Sequence, residues 1–222
     1  MKRRHFLKTA AAGSMAFFLP ASVATLAAGK KVRIAQIGLG MMGVSDLHSM
    51  ASHSAVEVVA LCDVDLSLVD KIKDKFPKAK VFQDYRQLFK KMGKKIDAVV
   101  VSTTDHTHAP ISLAAMNMNK NVYCQKPLTH YISESREMDA VAARKKLITQ
   151  MGIQVHSFYD YKLASILIRG GIIGKVKKVI AWSPKVWGYD GPAPEGADPV
   201  PEGLNWDMWI AGGKKRPYKK GY

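Results

Sequence analysis

From residue 32 to residue 150, short apolar runs alternate with stretches whose hydrophobic residues recur at helical spacing. Val32-Arg33-Ile34-Ala35-Gln36-Ile37 reads as a first strand, and Val56-Glu57-Val58-Val59-Ala60-Leu61-Cys62 has the make-up of a second, buried one. Val81-Phe82 is a third, leading to Asp84, which with Gln87 resembles a capping arrangement for a helix ending at Gly93. Residues 96–101 and 121–124 supply a fourth and fifth strand, and residues 147–150 begin a sixth. Pro110 can occupy the first turn of a helix through Leu113, Ala114 and Met116. Residues 134–146 place acids in the first turn and bases in the last, which complements a helix dipole. Apolar strands alternating with amphipathic helices predict an α/β fold, a doubly wound parallel sheet covered on both faces, in the order 3-2-1-4-5-6.

The turn after the first strand carries more than composition. Ile37-Gly38-Leu39-Gly40-Met41-Met42-Gly43 sets three glycines in the spacing of a Rossmann dinucleotide fingerprint. Gly38 permits the tight turn, Gly40 lets backbone N–H groups approach a pyrophosphate, and Gly43 lets the next helix pack closely on the sheet. Leu39, Met41 and Met42 supply the intervening backbone, and the anion sits on a helix N-terminus. About 20 residues on, the second strand ends at Asp63, placed to accept hydrogen bonds from an adenosine ribose diol. That carboxylate would repel a 2′-phosphate, so NAD is expected over NADP, with Lys71 or Lys73 near enough to blur the preference. The plainer alternative is that Asp63 only caps a turn.

Residues 1–29 read as a leader. Lys2-Arg3-Arg4-His5-Phe6-Leu7-Lys8 is a paired-arginine segment, followed by largely apolar residues 9–19, Pro20, and the small residues Ala21, Ser22, Ala24, Ala27 and Ala28. The pattern resembles a twin-arginine (Tat) export signal and predicts a periplasmic or otherwise exported protein handled by the Tat translocase. A Tat substrate can carry a cofactor acquired before export. No cysteine lies near the cleavage region, which argues against a lipoprotein anchor. If the signal stayed uncleaved, residues 9–28 are about long enough to anchor in a membrane.

Without the leader about 190 residues remain, enough for one domain and part of another. The net charge of +16 invites a nucleic-acid reading. The lysines, however, are scattered as Lys71/Lys73/Lys75, Lys94-Lys95, Lys145-Lys146, Lys177-Lys178 and Lys214-Lys215, one cluster per element. No zinc-finger spacing, RNP-type pattern or basic-region helix accompanies them, so no nucleic-acid partner is expected. Cys62 and Cys124 fall on strands two and five, roughly 14 Å apart in the expected order, where a disulfide needs about 7 Å. They read as small buried hydrophobes.

Ligands of such sheets bind beyond the carboxyl ends of the strands. After strand four comes Ser102-Thr103-Thr104-Asp105-His106-Thr107-His108. Asp105, His106 and His108 are legitimate zinc ligands, but no further ligand at readable spacing supports a metal, and lining the nicotinamide end of a cofactor is the expected role. After strand five comes Cys124-Gln125-Lys126-Pro127. A lysine there, partly desolvated beside a positive ring, could exchange protons with a substrate hydroxyl; alternatively it is a surface lysine before a turn proline.

Gly38 to Gly43, Asp63, Thr103 to His108, Gln125-Lys126-Pro127 and Gly152-Ile153-Gln154, in this order, resemble the Gfo/Idh/MocA oxidoreductases, over residues 31–222. The resemblance implies a Rossmann NAD(P)-binding domain over residues 30–156. It also implies the start of an α+β open-sheet domain over residues 157–222, which binds substrate and mediates oligomer contacts. It implies oxidation of a secondary hydroxyl of a sugar, sugar derivative or cyclitol, with Lys126 as the catalytic lysine and Thr103, Asp105, His108, Gln125 and Gln154 among the cofactor contacts. Two departures stand out. The family's Glu-Lys-Pro is Gln125-Lys126-Pro127, which removes a carboxylate near Lys126 and is expected to impair proton transfer. Members also run to roughly twice this length, so the substrate domain, begun by a strand-like run at residues 175–182, is expected to be incomplete and the chain inactive alone. All four tryptophans, Trp182, Trp187, Trp206 and Trp209, fall in this last part, and packing is expected of them before sugar stacking. Leu204-Asn205-Trp206-Asp207-Met208-Trp209 resembles a stretch that, in exported members, runs along the sheet toward the active-site side. Two alternatives remain: a glycoside hydrolase that uses tightly held NAD for transient C3 oxidation, and a non-catalytic dinucleotide-binding fragment.

Overall fold

The computed structural model describes residues 29–183, 191–192 and 194–220. The leader before Gly29 and Trp187 lie outside them. Six strands, β1 (Val32–Ile37), β2 (Val56–Cys62), β3 (Lys80–Phe82), β4 (Ala98–Val101), β5 (Asn121–Gln125) and β6 (Thr149–Gly152), form one sheet ordered β3-β2-β1-β4-β5-β6. All pairs are parallel, as the alternation of strands and helices requires. Ile37 lies opposite both Cys62 and Val101, so β1, β2 and β4 end level and deliver Gly38, Asp63 and Ser102 to one edge.

The period of two along the strands, broken once in β2 where Val59 is an extra residue against β1, sorts the core into two layers. Ile34, Val58, Leu61 and Val100 face α1 (Met41–Ala51) and α2 (Leu66–Asp70) through Leu47 and Val69. Ala35, Ala60, Val99 and Val101 belong to the opposite layer. Its helices are α3 (Tyr85–Met92), α4 (His108–Asn117) and α5 (Ile132–Lys145), which contribute Leu88, Ala115 and Met138. Cys62 and Cys124 are free and buried in that layer. Burial pushes both thiols up, Cys124 to about 11, so neither is a reactive thiolate.

Element ends depart from the sequence reading for local reasons. β4 starts at Ala98 rather than residue 96, and Asp97, just before it, takes the Arg33 guanidinium at 2.7 Å. α3 is capped by Asp84 accepting from Arg86 N at 2.9 Å, not by a reciprocal pair with Gln87. α5 begins two residues early because Glu134 reaches back to the amides of Tyr131 and His130, at 2.9 and 3.1 Å. β6 is Thr149–Gly152, shifted toward the C-terminus by two residues.

Beyond β6 no strand among the described residues continues the sheet. The strand expected over residues 175–182 is absent: these residues are exposed, and among the described residues none pairs with them. An extended segment with no neighbour to take its N–H and C=O groups gains nothing from strand geometry. α6 (Tyr159–Arg169) buries none of its residues. Residues 201–218 return instead to the sheet's carboxyl edge, as expected for the Leu204-to-Trp209 stretch. Asn205 N donates to Val64 O at 2.8 Å and Leu66 N to Gly203 O at 3.0 Å, setting down α7 (Trp206–Ile210). Trp206 is stacked on Trp209 and met edge-on by Tyr218, and its Nε1 donates to Arg216 O at 2.8 Å. Trp206 and Trp209 thus pack as expected, whereas Trp182, 82 % exposed, does not. Among the described residues no helix is long and apolar enough to cross a membrane.

Candidate functional site

The level ends of β1, β2 and β4 open into a cleft of about 1380 Å³. Its floor is the glycine turn. Gly38 has φ +92°, and a Cβ on it would strike the Ser102 carbonyl; a Cβ on Gly43 would strike the Gly38 carbonyl. Both glycines are therefore demanded by close backbone approach. Gly40 differs, since a Cβ there would meet nothing within 4 Å. It faces open cleft, where the protein leaves space that a side chain would fill.

Gly40 is also the N-cap of α1 and has no side-chain cap. The first intrahelical bond runs from Val44 N to Gly40 O at 2.9 Å, so Met41, Met42 and Gly43 have amides without an intrahelical acceptor. Met41, 95 % exposed, and Met42 both line the cleft. Such amides, at the positive end of an 11-residue helix, suit a phosphate. Leu39 does not share this role. Its side chain is 2 % exposed within the α1-side core, and its amide donates to Asp63 Oδ2, so it braces the turn instead.

Asp63 Oδ2 accepts from Leu39 N at 2.6 Å and Oδ1 from Asp65 N at 2.9 Å. It therefore caps the turn and stands on the cleft wall at once. Each oxygen keeps a second lone pair, so bracing does not preclude accepting from a diol. Burial pushes its carboxyl up from the usual range, against the opposing pull of the Asp65 and Leu39 amides.

The segment after β4 divides in a way that spacing alone does not show. Thr103, Thr104, His106 and Thr107 line the cleft. Asp105 is exposed and off its wall, because the 3₁₀ turn Asp105–Thr107 turns it to solvent. His108 starts α4 with its ring inward, 1 % exposed. Its Nδ1 lies 2.6 Å from Pro127 O and its Nε2 3.0 Å from Thr103 O. It ties the loops after β4 and β5 together, with each ring nitrogen beside a carbonyl oxygen, and lies outside the cleft lining. Among the described residues no three metal-ligating side chains gather.

Gln125 is likewise turned inward, 3 % exposed, and lies outside the cleft lining. Its Nε2 donates to Asp46 Oδ1 and Oδ2 at 3.0 and 2.9 Å, and its Oε1 accepts from Lys126 N at 3.1 Å. Asp46 was missed by the sequence reading. It lies on α1 with Gly43 and Leu47, the i, i+3, i+4 face that packs on the sheet, and a carboxylate on such a face is the available signal. Lys126 is exposed at the end of β5, and Gln154 is half-buried in the turn Gln154–Ser157; both lie outside the cleft lining. His130, Tyr131 and Glu134, at and just before the start of α5, join the wall unforeseen, and Asn205 and Trp209 join it from the stretch expected to run toward that side.

A doubly wound sheet with a glycine cradle and an acid at the end of β2 defines a dinucleotide-binding domain. Residues 32–153 match the Gfo/Idh/MocA oxidoreductase family, NAD-binding Rossmann fold, and the chain belongs to that family. It is 32 % identical over 142 residues to inositol 2-dehydrogenase of Salmonella typhimurium, covering 63 % of this chain and 42 % of that protein. It is 28 % identical over 202 residues to a glycosyl hydrolase family 109 protein of Shewanella pealeana, covering 79 % and 44 %. Among solved structures, scyllo-inositol dehydrogenase of Lactobacillus casei with bound NAD(H) and scyllo-inositol superposes with a TM-score of 0.60. That match is 25 % identical and covers 65 % of this chain and 43 % of that one. The chain thus spans less than half the length of each of these relatives.

Proposed function

We propose that this chain serves an NAD-dependent oxidoreductase acting on a secondary hydroxyl of a sugar, sugar derivative or cyclitol. The observation that carries the reading is the open cradle at Gly40, at the uncapped start of α1 and across the turn from Asp63. The amides of Met41 and Met42 would hold the pyrophosphate, and Asp63 the ribose diol in preference to a 2′-phosphate. The nicotinamide, when bound, supplies the hydride acceptor. Lys126 is assigned the proton of the substrate hydroxyl. Relatives that are inositol dehydrogenases support the substrate class.

A second reading, glycoside cleavage through transient oxidation, is favoured by one observation. The similarity to the glycosyl hydrolase family 109 protein extends over 202 residues, against 142 for the inositol dehydrogenase. Calorimetric titration with NAD and NADP tests the shared cradle; no binding of either would overturn both readings. NADH formation with free cyclitols or sugars then supports the dehydrogenase, and cleavage of aryl glycosides without net NADH supports the glycosidase. Binding without either activity leaves a dinucleotide-binding module.

The paired arginines support export through the Tat translocase into the periplasm, and the incomplete burial of α6 supports self-association of the whole protein. Replacing Arg3 and Arg4 by lysine is expected to hold the product in the cytoplasm, read by fractionation.

A further inference from the structure

We propose that Asp46 and Gln125 are a matched pair in which the buried carboxylate of the site stands on α1 instead of β5, and that the pair positions the Gln125-Lys126-Pro127 turn. The proposal uses the functional reading only to say what that turn is for.

Gln125 was expected to be a loss, a carboxylate replaced by an amide. The structure shows where the carboxylate is. Asp46, 7 % exposed, faces the Gln125 amide with both oxygens at 3.0 and 2.9 Å, and Ser102 Oγ donates to its Oδ2 at 2.7 Å. Both donors are neutral, so the single negative charge of this cluster is that of Asp46. A glutamate at 125 would set two carboxylates about 3 Å apart out of water, where both cannot stay ionised. The amide is therefore what Asp46 requires.

The pocket is shaped for this side chain. Gly152, opposite Gln125 in the β5–β6 pairing, leaves the room: a Cβ there would come within 2.8 Å of the Gln125 amide. The other end of the same amide, Oε1, accepts from Lys126 N. One planar group thus joins a charge on α1 to the backbone from which Lys126 projects. Its orientation is set, because Nε2 must face the carboxylate and Oε1 the N–H.

The titratable neighbours are few. Tyr123 on β5 is pushed up by burial and by the charge of Asp46, so it stays neutral at moderate pH. Ser102, just after β4, and Gly152 on β6 contribute no titrating group. The His108 ring faces the carbonyls of Thr103 and Pro127, and Lys126 is exposed. All of these are common to the variants below, so a difference between variants isolates the pair.

Two variants of the full chain decide the matter: Gln125→Glu, and the double Asp46→Asn/Gln125→Glu, which reverses the pair. Each is measured by unfolding midpoint and by NADH fluorescence titration between about pH 5 and 8. A glutamate at 125 keeps its proton in the fold to higher pH than in the unfolded chain. Its O–H can then donate to Asp46 as the amide does, and stability is lost as pH rises through the folded value. Gln125→Glu is expected to match the parent within about 2 °C at pH 5 and to fall by roughly 5 °C or more at pH 8, with NADH affinity down at least tenfold. The double variant is expected to recover most of both losses and to lack the slope. A Gln125→Glu protein with the parent's pH profile overturns the proposal, as does a double variant no better at pH 8 than Gln125→Glu. If the parent binds no NADH, the functional reading fails, while the unfolding midpoints still decide the pair.

Discussion

His106 and Trp209 are joined twice, by His106 Nε2 at 2.8 Å from the Trp209 carbonyl oxygen and by an edge-to-face contact with ring centroids 5.7 Å apart. Trp209 lies in α7, whose N-cap residue Asn205 is pinned to Val64 at the end of β2. α7 therefore crosses the mouth of the cleft from the β2 side to the β4 side, over the crevice in which a doubly wound sheet holds its ligand. Replacing His106 by alanine removes the second anchor and leaves the sheet intact. NADH dissociation is expected to quicken about tenfold in stopped-flow fluorescence, with association within about twofold. Unchanged dissociation would show that α7 does not cover the ligand.

The glycines of the first turn separate fold from binding. Gly43→Ala drives a Cβ into the Gly38 carbonyl, backbone against backbone, and is expected to cost about 2–4 kcal/mol in denaturant unfolding. Gly40→Ala meets no protein atom within 4 Å and is expected to change stability by less than about 0.5 kcal/mol. It should nonetheless weaken NADH at least tenfold, since the methyl occupies the space before the α1 amides. Parent-like affinity in Gly40→Ala would remove the cradle from that position.

Asp63→Asn tests the ribose assignment through its pH dependence. Burial raises the Asp63 carboxyl above its usual range, so the folded protein keeps that proton to higher pH than the unfolded chain does. A diol donates to the ionised form, so parent NADH affinity is expected to rise with pH between about 4 and 7. Asp63→Asn should bind more weakly, without that rise, and with a smaller preference for NADH over NADPH. A variant that retains the parent's slope would place the titration elsewhere.

The inner strands β1, β2, β4 and β5 were legible in the sequence because each is a short run with apolar residues on both faces, and the glycines and Asp63 because they serve backbone tasks at fixed spacing; β6, Thr149-Gln150-Met151-Gly152, has no such run and was placed two residues off. Side-chain direction was not. Gln125 turns inward for Asp46, 79 positions away, and His108 for carbonyls on two different loops. Asp46 and Pro127 lie 79 and 19 positions from the side chains they meet, beyond any window of ten residues. Residues 175–182 have strand composition, but a strand also needs a neighbour, and composition does not supply one.

Arg33 and Asp97 carry the last prediction. The Arg33 side chain donates to both oxygens of Asp97, at 2.9 and 2.7 Å, and Arg33 N donates to Oδ2 at 2.9 Å, tying the start of β1 to the approach to β4. The Arg33 side-chain hydrogen bond is the main reason the Asp97 carboxyl is held below its usual range. An acid depressed in the fold adds stability that is present above its unfolded value and lost as pH falls through the folded one. Both side chains are about two-fifths exposed, so solvent screens the pair and Asp97→Asn is expected to cost only about 0.5–1 kcal/mol at pH 7. The difference from the parent should shrink below about pH 4, where the unfolded carboxyl takes up its proton, and vanish on further acidification. Denaturant unfolding of both proteins at pH 7, 4 and 3 reads this directly. A deficit that persists undiminished in acid would assign the loss to geometry at the start of β4 and not to charge.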